Sequence, residues 1–152
     1  MKTLKLKVVT PERSVTEIEA TSVMLPIEDG EVTILPDHEP YIGSLKAGEI
    51  LFRRGGEDEK GSAESLAVSG GFVEFCENTL TVLADTAERA EEIDLSRAEE
   101  ARKRAEQLMK ERTVMSEEEY AFVAAALEKE WARIKVARKH RSHGGLPSIS
   151  SE

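Results

Sequence analysis

Within 152 residues, 30 Asp and Glu outnumber 21 Lys and Arg for a formal charge of −9, and apolar types make up 39% against only 5% aromatic. This suits one ordinary domain or a small core with an appendage, and the acid surplus excludes a nucleic-acid binder, which needs excess cations to displace phosphate counterions. A single cysteine, Cys76, excludes an internal disulfide and a thiolate zinc cluster. No apolar run approaches the roughly 18 residues of a membrane span, and Met1–Lys5 lacks a signal-peptide core, so the expectation is a soluble, intracellular chain without direct bilayer insertion.

The first 87 residues read as strands. Leu4, Leu6 and Val8 alternate with Lys5 and Lys7, the period of a half-buried strand. Short candidates follow at Ser14–Glu19, Ser22–Leu25, Glu31–Leu35, Ile50–Arg53, Ser65–Ser69, Gly71–Cys76 and Thr79–Ala84, separated by turn residues such as Glu28-Asp29-Gly30 and Glu77-Asn78. Close spacing of this kind indicates a β-sandwich or barrel. Gly55–Ser62, polar and charged, reads as an exposed hairpin loop, and Gly70-Gly71 as a bulge or tight turn.

From Glu88 the period changes. Ala98, Ala101, Ala105, Leu108 and Arg112 fall three and four apart, the stripe of a helix that Asp94 can cap. Ser116–Glu119 forms a capping box for a second helix with the stripe Tyr120, Ala124, Leu127, Trp131 and Ile134. A small-residue seam facing a bulky one predicts an antiparallel hairpin over 88–141, resting on the sandwich or on a partner. Residues 142–152 are expected to be a disordered tail. Residues 1–87 carry 8 basic and 16 acidic side chains, whereas 88–141 carry 13 of each. Lys129, Arg133, Lys135, Arg138, Lys139 and Arg141 crowd the end of the second helix. Compensation of the helix dipole accounts for the last of these; six cations over four turns also suit a basic finger seeking an acidic protein surface.

No P-loop, nucleophile elbow or zinc-protease helix is present. His38 lies in a turn, His140 and His143 near the end, and Cys76 closes a strand as a small core hydrophobe. No nucleophile has a base beside it. The expectation is a chain that is not an enzyme, with no catalytic residues, no metal site and no required cofactor.

The ordered set Gly30–Pro40, Leu45-Lys46-Ala47-Gly48, Ala67–Glu74, Thr81–Ala87 and Ile93-Asp94-x-x-Arg97-Ala98 resembles the epsilon subunits of F-type, proton-translocating ATP synthases. The resemblance runs from Leu4 to about Lys139 and implies a ten-stranded β-sandwich followed by an α-helical hairpin. It also implies a rotor part of the central stalk. The sandwich (1–87) would bind the gamma subunit and the c-subunit ring through a contact loop holding Glu31 and His38, coupling proton flow to ATP synthesis. The hairpin would regulate, folded down on the sandwich when permissive and opposing ATP hydrolysis when extended among the catalytic alpha and beta subunits, with Lys135, Arg138 and Lys139 as leading contacts. Such a subunit would sit peripherally on the cytoplasmic face of the bacterial plasma membrane. Thr33 and Asp37 stand where the family often has glycines.

Some members of that family bind ATP on the folded hairpin. Glu88, Ile93, Asp94, Arg97, Ala98, Arg104 and Arg133 match those positions, while Phe122 and Lys129 stand where arginines are expected. The alternative reading makes Asp94 a cap, Arg97 a helix-surface cation and Ile93 a staple, leaving weak regulatory ATP as the minority hypothesis. Two other functions compete: a nucleotide-sensing hairpin protein outside any synthase, and a coiled-coil adaptor on a β-platform, which leaves the Gly30–Pro40 and Ser69–Phe72 matches unexplained.

Overall fold

The computed structural model describes residues 2–55 and 63–144, with side chains through Ser142. Among these residues seven strands precede two helices: β1 (Leu4–Val9), β2 (Ser14–Ile27), β3 (Gly30–Ile34), β4 (Tyr41–Arg54), β5 (Ala63–Cys76), β6 (Thr79–Ala84), β7 (Ala87–Arg89), α1 (Leu95–Lys110) and α2 (Glu117–Gly144). Apart from Gly55, the hairpin loop expected over Gly55–Ser62 lies outside the described residues.

Three strands are 14 residues long, and each serves both layers of a sandwich. The first half of β2 pairs with β1, and its second half lies between β3 and β4. Tyr41–Leu45 of β4 run beside Gly71–Phe75 of β5, and Ala47–Arg53 beside Ala63–Ser69. The second half of β5 pairs with β6 and the first half with β7. A parallel β1–β6 pairing closes the ring. Seven continuous strands therefore supply the ten segments that the family resemblance implies, five to a layer. The candidates at Ser14–Glu19 and Ser22–Leu25 are the two halves of β2, and those at Ser65–Ser69 and Gly71–Cys76 the two halves of β5. The run Tyr41–Glu49, not expected as strand, is the first part of β4.

Gly70 and Gly71, at φ +126° and +134°, make the bend in β5. A side chain on Gly71 would stand 1.9 Å from the Leu83 carbonyl oxygen, so the two strands approach at a distance only glycine permits. The interior holds aliphatic side chains from both layers around Phe75, with Leu6, Val8, Val23, Leu25, Ile34, Leu80 and Val82 sealed from solvent. Aliphatic residues fill the core of this aromatic-poor chain, as its composition requires, whereas Cys76, expected in the core, is exposed because strand alternation turns it outward beside the buried Phe75.

The sheet extends to Arg89, two residues beyond the expected boundary at 87, because Ala87–Arg89 still pair with Leu66–Val68. Asp94 caps α1, accepting from the Arg97 amide at 3.2 Å. Ser116 and Glu119 exchange the two bonds of the expected capping box, at 3.1 and 3.2 Å. α2 continues through Gly144 rather than ending at residue 141; residues 145–152 lie outside the described set.

α1 packs antiparallel to α2, and the second half of α2 lies across β4 and β5. The expected stripes need amendment accordingly. On α1, Ala98 and Ala105 are buried but Leu108 is 45% exposed. On α2, Ile134 is buried, whereas Trp131 is 45% exposed and carries the Arg102 guanidinium 4.9 Å from its ring centroid. A second apolar row, Ala132, Val136 and Ala137, is buried as well. The end of α2 thus has two neighbours, helix on one side and sheet on the other, and a single stripe describes only the first.

Candidate functional site

The outward face of β4 and β5 is built by strand alternation. Ile50, Phe52, Leu66 and Val68 point into the sandwich, so Glu49 and Ala67 point out. Both are nevertheless buried, at 8% and 3% exposure, because α2 covers them. Ala67 joins Ile93, Val136 and Ala137 in a small apolar cluster fringed by Ala90 and Leu95. That cluster fastens the start of the hairpin and the end of α2 to one patch of sheet.

Around it stands a ring of ion pairs. The Glu49 carboxylate accepts from Ser65 Oγ at 2.9 Å and from Lys139 Nζ at 3.2 and 3.4 Å, and Lys135 Nζ lies 4.0 Å away. Its side chain is 5% exposed, so a charge here requires such partners. Arg133 reaches back to β7, with Nε 3.0 Å from Glu88 Oε1 and Nη2 donating to Oε2 at 3.3 Å, while Nη1 donates to Glu130 at 2.9 Å. Burial opposes the Arg133 charge, but the carboxylates of Glu88 and Glu130 overcome it and hold the guanidinium above its usual range. Arg138 donates to Glu99 of α1 at 2.9 Å.

Each basic residue expected to contact an outside partner therefore has a carboxylate of this chain beside it: Lys139 is bonded to Glu49, Lys135 lies 4.0 Å from Glu49 with its side chain 62% exposed, and Arg138 is bonded to Glu99. Glu49, Ser65, Glu99 and Glu130 were not foreseen. The signal available for Glu49 was indirect, since lysines four apart on a helix converge on one face and call for a carboxylate, without saying which one.

Of the candidate nucleotide residues, the structure brings Glu88, Ile93 and Arg133 to the junction of sheet and helices. Asp94 is occupied as a cap, with Arg97 Nε 3.7 Å from its second oxygen and the Arg97 side chain 84% exposed. Ala98 is fully buried in the hairpin, and Arg104 is exposed two turns beyond Arg97. A cleft of about 770 Å³ opens elsewhere, between the ends of β4 and β5 and the last turns of α2, with Arg54, Arg89, Lys139 and His140 in its wall. Arg54 pairs with Glu64 and Arg89 donates to the Val15 carbonyl at 2.7 Å, so these cations already have partners.

Glu31 and His38 do not share a loop, because Glu31 lies within β3 (Gly30–Ile34) and His38 in the turn beyond the strand's other end. Glu31 is exposed at the β2–β3 hairpin. His38 lies beyond the other end of the strand, its Nδ1 2.7 Å from the Glu39 carbonyl and its ring edge-on to Tyr41 and Phe75. Asp37 takes the left-handed conformation at φ +63°, where the family resemblance puts a glycine. Its amide donates to Asn78 Oδ1 at 2.9 Å and its carboxylate accepts from Lys2 at 2.8 Å. Nearby, on the outer face of the other layer, Ile42, Phe72 and Leu83 stand 78%, 64% and 55% exposed. Phe72 and Leu83 face each other across β5 and β6, and Ile42 lies on the adjoining strand. Three large apolar side chains on one sheet face make it a candidate interaction surface.

Known proteins share this arrangement. The family description "ATP synthase, Delta/Epsilon chain, beta-sandwich domain" matches residues 3–90, and "ATP synthase, Delta/Epsilon chain, long alpha-helix domain" matches residues 91–138. The ATP synthase epsilon chain of Dehalococcoides mccartyi is 46% identical over 143 residues, covering 94% of this chain and 98% of the relative. That of Herpetosiphon aurantiacus is 42% identical over 139 residues, covering 91% and 97%. Among solved structures, a chain of the Euglena gracilis mitochondrial ATP synthase, an assembly of OSCP, F1 and c-ring, superposes with a TM-score of 0.73 at 19% identity, covering 91% of this chain and 82% of that one. A chain from the central stalk and c-ring of the Tetrahymena thermophila mitochondrial ATP synthase gives 0.55 at 14% identity, covering 90% and 94%.

Proposed function

The chain belongs to the ATP synthase epsilon-chain family, non-catalytic components of the central stalk, and from that membership we propose that it is a coupling subunit whose hairpin restrains ATP hydrolysis. Its sandwich binds the gamma subunit through the face bearing Ile42, Phe72 and Leu83, which His38 borders, and the Glu31 hairpin turns toward the c ring. The complex lies at the cytoplasmic face of the bacterial plasma membrane, with this chain as a peripheral part; among the described residues no helix is long and apolar enough to cross a membrane.

The observation that carries the regulatory half is the pairing of Lys135, Arg138 and Lys139 with carboxylates of this chain. A helix whose basic end is held by its own carboxylates can offer the same cations to an acidic surface on the catalytic subunits once it is released, and it cannot do both together. The junction buries mainly alanine and valine, so separation costs little apolar area. Any ATP on the hairpin is held weakly, because Arg133 is already neutralised by two carboxylates and Asp94 is committed to its cap.

The test is ATP hydrolysis by catalytic head depleted of its own epsilon subunit, titrated with the full chain and with a chain ending at Ala90. The full chain should bind and suppress turnover, and the shortened chain should bind without suppressing. Binding by both with inhibition by neither would leave a coupling subunit without hairpin control.

A further inference from the structure

We infer that Glu49 is an internal decoy: a carboxylate of the sandwich that captures Lys139 and Lys135 in place of an outside acidic surface, and so sets how readily the hairpin leaves the sandwich. The inference rests on the regulatory reading of the hairpin and adds the contact that governs it. Glu49 is an acid on the outer face of β4 that α2 nearly seals from solvent. A buried carboxylate with water removed needs its charge compensated, and Ser65 Oγ supplies only a neutral donor. Among the described residues the compensating charge comes from α2, on residues four apart that present one face to the sheet.

Two consequences follow from this geometry. The pair fixes the rotation of α2 on the sheet, because only the face carrying 135 and 139 satisfies Glu49 while Val136 seats on Ala67. The net attraction is also modest, since undocking returns Glu49 and both lysines to water, which offsets much of the lost pairing. A latch of this kind is specific yet readily exchanged for another carboxylate. Glu99, which holds Arg138, lies on α1 and moves with the hairpin, so of the acids beside Lys135, Arg138 and Lys139 among the described residues Glu49 is the one on the sandwich, separate from the Arg133–Glu88 pair to β7.

Hydrogen exchange of the full chain over Ala132–Lys139 reads docking directly. Glu49→Lys should raise exchange there about tenfold with β1 and β6 amides unchanged, and Lys139→Glu, a change on the helix surface that spares the sandwich, should do the same. Combining Glu49→Lys with Lys139→Glu should restore protection. Unchanged exchange in Lys139→Glu, or no recovery in the double variant, overturns the decoy. If exchange follows this pattern while inhibition of the epsilon-depleted head stays constant across the variants, the decoy stands and the regulatory reading fails.

Discussion

Glu92 lies where the sheet gives way to the helices, and Arg13 grips it with two N–H groups at 2.9 and 2.8 Å while the Arg89 amide donates at 2.9 Å. The Arg13 hydrogen bonds first, and then the Arg89 amide, hold its carboxyl down at about 2, below the ordinary 4.5. A depressed carboxylate contributes stability above its unfolded value, and the contribution is lost as pH falls through 4.5 toward 2. With the Glu92 side chain 37% exposed, solvent screening reduces the effect to about 1 kcal/mol. Glu92→Gln should therefore melt about 2–4 °C lower at neutral pH, and the gap should close as pH approaches 2. A gap constant across that range would remove the ion pair as its cause.

At the scale of elements, the bends in the long strands decide the fold. Two glycines with similar φ separate conformation from packing. Gly30 has φ +128° with no atom near a would-be side chain, whereas Gly71, at +134°, would place one 1.9 Å from Leu83 O. Gly30→Ala should cost only its strain, about 1 kcal/mol. Gly71→Ala adds a clash with backbone that cannot step aside without breaking the β5–β6 pairing, so about 3 kcal/mol or more is expected from denaturant titration. Equal costs would refute the close-approach account. The same elements show what the sequence made legible. Alternation and turn residues located most strand segments, and the caps at Asp94 and Ser116 stand where their chemistry placed them. The continuity of β2, β4 and β5 was hidden, because a strand that crosses between layers breaks its own alternation at the bend. The second buried row of α2 was hidden for a related reason: Ala132, Val136 and Ala137 are apolar only in relation to a sheet distant in sequence. At the site, the cations were legible as a cluster, but the acids that hold them come from β4 and α1, and helical spacing carries no record of either.

Across the whole molecule, the covered acid and the exposed apolar side chains lie on different layers. The sandwich half carries the net negative charge, the hairpin half balances, and the two meet where the basic end of α2 covers an acid. On the other layer Ile42, Phe72 and Leu83 stand exposed on one face, with the exposed Glu74 opposite Ile42 in register. Nothing in the described chain covers these three side chains, and none of them supports the core, whose residues alternate with them along β4, β5 and β6. Loss of their apolar character should therefore leave folding intact and act on association alone. Phe72→Glu is expected to keep the melting temperature within a degree or two of the parent. It should also weaken binding to the gamma subunit by about 30-fold or more, the scale of losing one central aromatic anchor of about 2 kcal/mol. Under the proposed regulatory role, hydrolysis control should weaken in parallel, because the hairpin would reach the catalytic subunits only from a seated sandwich. Calorimetric titration of gamma with the parent and the Phe72→Glu chain separates the cases: equal affinities would move the stalk contact to another face, whereas a lower melting temperature would show that Phe72 belongs to the core.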